Sequence, residues 1–201
     1  MSKKYIAEFL GTFTLSFVVL AAVVTTTALP LVIPVMAALT LGLFVYTIGA
    51  LSGSHINPAV TIGLLSVKKI TTKDAAFYIV AQIFGAAVAV ALVKVLGLAL
   101  PVAVVATFLW PVFMAEALGA FFFAFGIAAV VYNKAPDTFS GVVVGGSLLL
   151  GILIASLGGA SGILNPAVAF ALNSVTIVYV LAPIVGSVLG FQTYRYIATA
   201  S

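Results

Sequence analysis

The chain contains no cysteine and a single histidine. Disulfides, thiolate nucleophiles and cysteine-ligated metals are therefore excluded. Only four Asp and Glu residues stand beside that histidine, and no nucleophile–base pair or metal cluster can be assembled from them, so the expectation is no enzyme and no cofactor. Charge of either sign is scarce. Just 6% of the 201 residues are charged while 64% are hydrophobic, against roughly 25% charged in a typical soluble domain. Too few polar side chains exist to build a water-facing exterior. The eight cations give a net charge of +4, but they form no patch interleaved with aromatics, so nucleic acid is not an expected partner.

What is present is apolar sequence in long runs. Between Lys4 and Lys68 the only acid or base side chains apart from tyrosines are Glu8 and His55, and between Asp137 and Arg195 there are none. Each run far exceeds the ~20 residues that cross a ~30 Å hydrocarbon core, so each crosses more than once. Breaks in the runs place spans at about 5–27, 32–50, 74–97, 110–132 and 139–157, with a sixth closing near Ile197. The first reads as a transmembrane helix rather than a cleaved signal peptide, because no short hydrophobic region with a small-residue cleavage site precedes it. A Thr-rich turn with Pro30 and Pro34 closes it, and the apolar stretch from Leu98 to Leu109 is expected to lie against the protein or the membrane surface.

Six spans put Lys3, Lys4, Lys68, Lys69, Lys73, Lys134 and Arg195 on one side and leave Lys94 alone on the other. The positive-inside rule then places both termini in the cytoplasm. The span count is supported by a repeat. Ala7-Glu8-Phe9-Leu10-Gly11 recurs as Ala115-Glu116-Ala117-Leu118-Gly119, and Asn57-Pro58-Ala59-Val60 as Asn165-Pro166-Ala167-Val168, both at an offset of 108 residues. Ala81-Gln82-Ile83-Phe84-Gly85 is echoed by Ala182-Pro183-Ile184-Val185-Gly186 after a shorter connection. Three crossings per unit insert the second copy upside down. The fold class expected is therefore an all-α membrane protein, with inverted repeats at about 5–97 and 110–198 forming one channel domain. Such repeats place their site near the midplane, on discontinuous helices.

Each Asn-Pro-Ala motif follows a Gly/Ser-rich stretch and opens an apolar piece of about ten residues. At 1.5 Å per residue that is about 15 Å, half the hydrocarbon core. Asn is a favoured N-cap and Pro a favoured first helical residue, so Asn57-Pro58-Ala59 and Asn165-Pro166-Ala167 read as two half-helix starts meeting at mid-depth. Irregular backbone at that depth is tolerated only where it lines a cavity. Two facing helix starts repel cations. If each Asn caps its own helix through oxygen, its NH₂ is left to donate into the path. Such a pore passes neutral molecules and interrupts a proton wire.

The stretches Ser52-Gly53-Ser54-His55-Ile56-Asn57-Pro58-Ala59-Val60-Thr61 and Gly162-Ile163-Leu164-Asn165-Pro166-Ala167, with both Ala-Glu starts and Gln82, resemble the aquaporin and glycerol-facilitator (major intrinsic protein) family over nearly the whole chain. The resemblance implies six transmembrane helices plus two re-entrant half-helices, a pore in each subunit and a homotetramer in the lipid bilayer. It implies that Glu8 and Glu116 hold the loops by accepting backbone N–H bonds. It further implies that the carbonyls of Gly53, Ser54 and His55, and of Ser161, Gly162 and Ile163, form acceptor ladders, with His55 at the inner mouth.

The sequence departs from that family where selectivity is set. The Arg that normally continues the second motif is Val168, and the Asp of glycerol facilitators is Ala169. The other constriction positions fall by spacing on Ala37 (with Met36 or Ala38 one residue away), Leu153 and Gly162. Ala37, Leu153, Gly162 and Val168 would make a wide apolar constriction without a side-chain donor. The function expected is a passive channel for water and small neutral solutes such as glycerol, urea, ammonia or hydrogen peroxide. An ordinary water-selective channel is the alternative. A secondary transporter, which would need a coupling-ion site, or a closed structural member of the family are the remaining readings.

Overall fold

A computed structural model describes residues 2–25, 31–101 and 109–199. Six long helices cross the molecule: α1 (Lys3–Thr25), α2 (Val32–Ser52), α4 (Thr72–Val95), α5 (Trp110–Val131), α6 (Ser140–Leu157) and α8 (Ile177–Thr199). All are long and apolar enough to span a bilayer, with mean hydropathy of 1.6 to 2.3. Two short helices, α3 (Pro58–Ser66) and α7 (Pro166–Ala171), and a 3₁₀ turn at Asp137–Phe139 complete the described helices. The element boundaries agree with the apolar runs read from sequence to within a few residues. α7 is shorter than its expected ten residues because Asn173 turns into the left-handed region at φ 53° and ends it. The Thr-rich turn up to Pro30 and residues 102–108 of the Leu98–Leu109 stretch lie outside the described residues. Leu98 and Leu100, before them, pack half-buried against the core.

The two halves are assembled alike. α1 packs on α2 and α4, α5 packs on α6 and α8, and α2 lies against α6 to join the halves. Small residues set these crossings: a Cβ on Gly85 would run into the Phe9 carbonyl, and one on Gly186 into that of Ala117. Such close backbone approach replaces the hydrophobic drive that helices lack in lipid. The short helices are exchanged between halves. α3 packs mainly on α8 and also on α4, whereas α7 packs on α4 and α1, and the two meet end to end.

Polar contacts gather at one end of the bundle. Lys4 Nζ lies 2.8 Å from an Asp74 carboxylate oxygen, and Tyr5 OH donates to the other at 2.8 Å. Thr71 caps α4 by accepting from the Asp74 N–H, while Lys69 Nζ sits 4.6 Å over the Tyr132 ring. Gln192 on α8 donates to the Ser66 carbonyl at the end of α3. The starts of α1 and α4 and the ends of α3, α5 and α8 therefore share one face, which gathers most of the cations.

Candidate functional site

Each short helix begins at its Asn as the cap rules require. Asn57 Oδ1 accepts from Ala59 N–H at 2.8 Å, with Pro58 opening the helix. Asn165 Oδ1 accepts from Ala167 N–H at 3.0 Å and Val168 N–H at 3.5 Å. The amide nitrogens then cross over. Asn57 Nδ2 donates to the Leu164 carbonyl at 3.0 Å, and Asn165 Nδ2 donates to the Ile56 carbonyl at 3.0 Å. One amide hydrogen of each Asn is thus spent on the opposite loop and one is left over. The sequence reading, which left both for a passing solute, did not contain this cross-link.

The approach to each Asn is irregular backbone. Gly53, Ser54 and Ile56 have φ of 85°, 49° and 38°, and in the second loop Gly162 and Leu164 have 67° and 53°. A β-branched residue at positive φ is strained and persists only where its surroundings hold it. In the first loop the holder is Glu8, wholly buried. One of its oxygens accepts from Ser52 Oγ at 2.7 Å and His55 N–H at 2.9 Å; the other accepts from Ile56 N–H at 2.6 Å and Gln82 Nε2 at 2.8 Å. Gln82 also donates to Thr61 Oγ1 at 3.0 Å, His55 Nδ1 lies 3.2 Å from the same oxygen, and Tyr78 OH donates to the Ser52 carbonyl at 2.7 Å. In the second loop Glu116 accepts from Ile163 and Leu164 N–H, each at 3.0 Å, and Ser161 Oγ pairs with Tyr179 OH at 2.9 Å.

Two cavities lie along the re-entrant loops. One, of about 280 Å³, is lined by Ala37, Ile152, Gly162 and Val168, together with Ser161, Ile163 and both Asn. The other, of about 430 Å³, is lined by Gly53, Ser54, Val60 and Tyr78, and by Lys69 and Asp74. All six residues whose carbonyls were expected to form ladders line one cavity or the other. Among the described residues those carbonyls accept no hydrogen bond, unlike the carbonyls of Ile56 and Leu164. Of the four constriction positions, Ala37, Gly162 and Val168 come together. Leu153 does not line the cavity; Ile152, one residue earlier, does. One residue turns a helix by about 100°, and α6 presents Val144, Leu148 and Ile152 to the cavities at a four-residue spacing. His55 lines both cavities.

Sequence reasoning gave no role to Tyr78, Ile152 or Leu41, quoted Ser52 and Thr61 only within the first motif, and took Phe123, in the run Phe121-Phe122-Phe123, for lipid-facing or interhelical packing. For Tyr78 a signal existed: Tyr179 follows it at the same offset that relates Gln82 to Pro183. Phe123 sits in a run of phenylalanines and carries no such mark.

The chain's similarities agree with this geometry. A family model described as major intrinsic protein matches residues 1–194. The sequence is 37% identical over 180 residues to aquaporin AqpM of Methanothermobacter marburgensis, covering 77% of this chain and 72% of that protein. It is 39% identical over 204 residues to a glycerol uptake facilitator protein-like 6 of Lactiplantibacillus plantarum, covering 93% and 94%. Among solved structures it resembles the aquaglyceroporin from Plasmodium falciparum with a TM-score of 0.70 at 22% identity, over 98% of this chain and 95% of that one.

Proposed function

The chain belongs to the major intrinsic protein family, whose members are passive channels rather than enzymes, and we propose that it conducts water together with small neutral solutes of glycerol size. Support comes chiefly from the ring of Ala37, Ile152, Gly162 and Val168 around the 280 Å³ cavity. It is apolar and carries no side-chain donor. No charged side chain lines that cavity among the described residues, and both buried carboxylates are turned into their loops. Such a lining gives ions nothing to replace their hydration, while the free carbonyls and the spare Asn hydrogens offer hydroxylic solutes acceptors and donors. The relatives' names point both ways, one to an aquaporin and one to a glycerol uptake facilitator.

The same reading takes the chain as one channel domain of two inverted repeats, at about 5–97 and 110–198. Asn57-Pro58-Ala59 and Asn165-Pro166-Ala167 lie at its centre, and Glu8 and Glu116 act as loop anchors. The cation-bearing end, with both termini, faces the cytoplasm of a cell membrane by the positive-inside rule. Four copies assemble, with the weakly buried α2, only 22% buried over its most apolar stretch, turned to lipid or to neighbouring copies.

The test is stopped-flow light scattering on proteoliposomes under water and glycerol gradients. Both fluxes are expected to exceed those of empty vesicles, and Val168→Arg is expected to lose glycerol flux while keeping part of the water flux. Glycerol flux equal to that of empty vesicles would overturn the broad reading and leave a water-selective channel. Saturable uptake driven by a pH gradient would indicate a transporter instead.

A further inference from the structure

Among the described residues the two cavities have three lining residues in common: Leu41, His55 and Phe123. Given the conduction path just proposed, we infer that the size limit of this channel is set at this junction by the Phe123 ring, and not at the apolar ring where Val168 stands. A solute crossing from one cavity to the other passes these three side chains. Leu41 and Phe123 are each 2% exposed and His55 8%, so the junction is closely walled.

The walls are fixed. His55 is tied to Thr61 through Nδ1 at 3.2 Å, and its ring meets that of Tyr78 edge-on at a centroid distance of 4.9 Å. The base of Phe123 is set by the α5–α6 crossing: a Cβ on Gly151 would stand 3.2 Å from the Phe123 Cβ, and one on Gly119 would run into the Gly151 carbonyl. The repeat shows what the ring adds. Phe123 follows Gly119 by one turn, as Leu15 follows Gly11 in the first half. Leu15 lines only the 280 Å³ cavity. The aromatic ring thus breaks the symmetry of the two halves at the one place where the cavities join.

The experiment measures water, glycerol and erythritol permeabilities in proteoliposomes for wild type, Phe123→Leu, Phe123→Trp and Ile152→Ala. Phe123→Leu restores the residue of the other repeat. It is expected to raise the erythritol-to-water ratio about threefold or more, a barrier change within reach of one side chain at a constriction. Phe123→Trp is expected to lower the glycerol-to-water ratio, and Ile152→Ala to move the erythritol ratio less than Phe123→Leu does. If Ile152→Ala moves that ratio as much or more, or if both Phe123 variants conduct water with unchanged ratios, the junction does not set the limit. Should Phe123→Leu fail to fold, the Phe123→Trp ratio decides. Wild-type water flux no greater than that of empty vesicles would instead remove the channel reading itself, and this inference with it.

Discussion

The two re-entrant loops follow nearly the same backbone course and are held in it by different means. Around the first, Glu8 gathers Ser52, His55, Ile56 and Gln82, and Thr61 extends the network. At the offsets of the repeat, Ser52 corresponds to Ala160, His55 to Ile163, Thr61 to Ala169 and Gln82 to Pro183. Every polar side chain of the first network except the carboxylate and the tyrosine is apolar in the second. The second loop lacks those side-chain bonds and keeps the packing that both share: Leu164 is fully buried and nests where Gly119 and Gly151 leave room for it, as the fully buried Ile56 does against Gly11. The geometry common to both therefore needs one buried carboxylate accepting two successive N–H groups. The further side-chain hydrogen bonds are an addition of the first loop.

The comparison predicts unequal losses on truncation. Glu8→Ala strands four buried donors and is expected to cost about 3–5 kcal/mol, read as a lowered thermal midpoint of the detergent-solubilised protein. Glu116→Ala strands two and should cost about 2–4 kcal/mol in the same assay. Equal losses would mean that the polar network adds nothing beyond the shared pair of N–H bonds. Gln82→Ala removes the donor that links Glu8 to Thr61 and is expected to cost about 1–3 kcal/mol. A loss near zero there would show that the first loop is already determined by its backbone bonds. The smallest effect is expected for Tyr78→Phe and Tyr179→Phe, about 0.5–1.5 kcal/mol each. Outside the carboxylates and the capping Asn pair, the tyrosines are the polar element that both halves retain, so they should be nearly equivalent.

Much of this arrangement was legible in the residues. The scarcity of charge and the 108-residue offset carried the helix count, and the Asn-Pro pairs carried the half-helix starts, because caps and first-turn prolines are local signals. Ile152 was not legible. Spacing alone pointed to Leu153, and only the orientation of α6 against α2 and α5 decides which neighbour faces the cavity. The cross-links from each Asn to the opposite loop were hidden for a related reason: Leu164 and Ile56 take part through their carbonyls, which every residue possesses. Phe123 was hidden among its neighbours Phe121 and Phe122, since an aromatic in lipid and one at a junction look alike in sequence.

Those crossed bonds also bear on how the protein is made. Asn57 and the Leu164 carbonyl are 107 residues apart, and Asn165 and the Ile56 carbonyl 109. At about 5–20 residues per second, a nascent first half must wait several seconds before its loop finds either partner. During that interval its half-helix is capped at one end but unanchored across the midline, and α8, the helix α3 mainly packs on, is the last of the eight to be synthesised. Completion of the first repeat therefore waits on synthesis of the second loop and of α8, and not only on the entry of its own helices into the membrane.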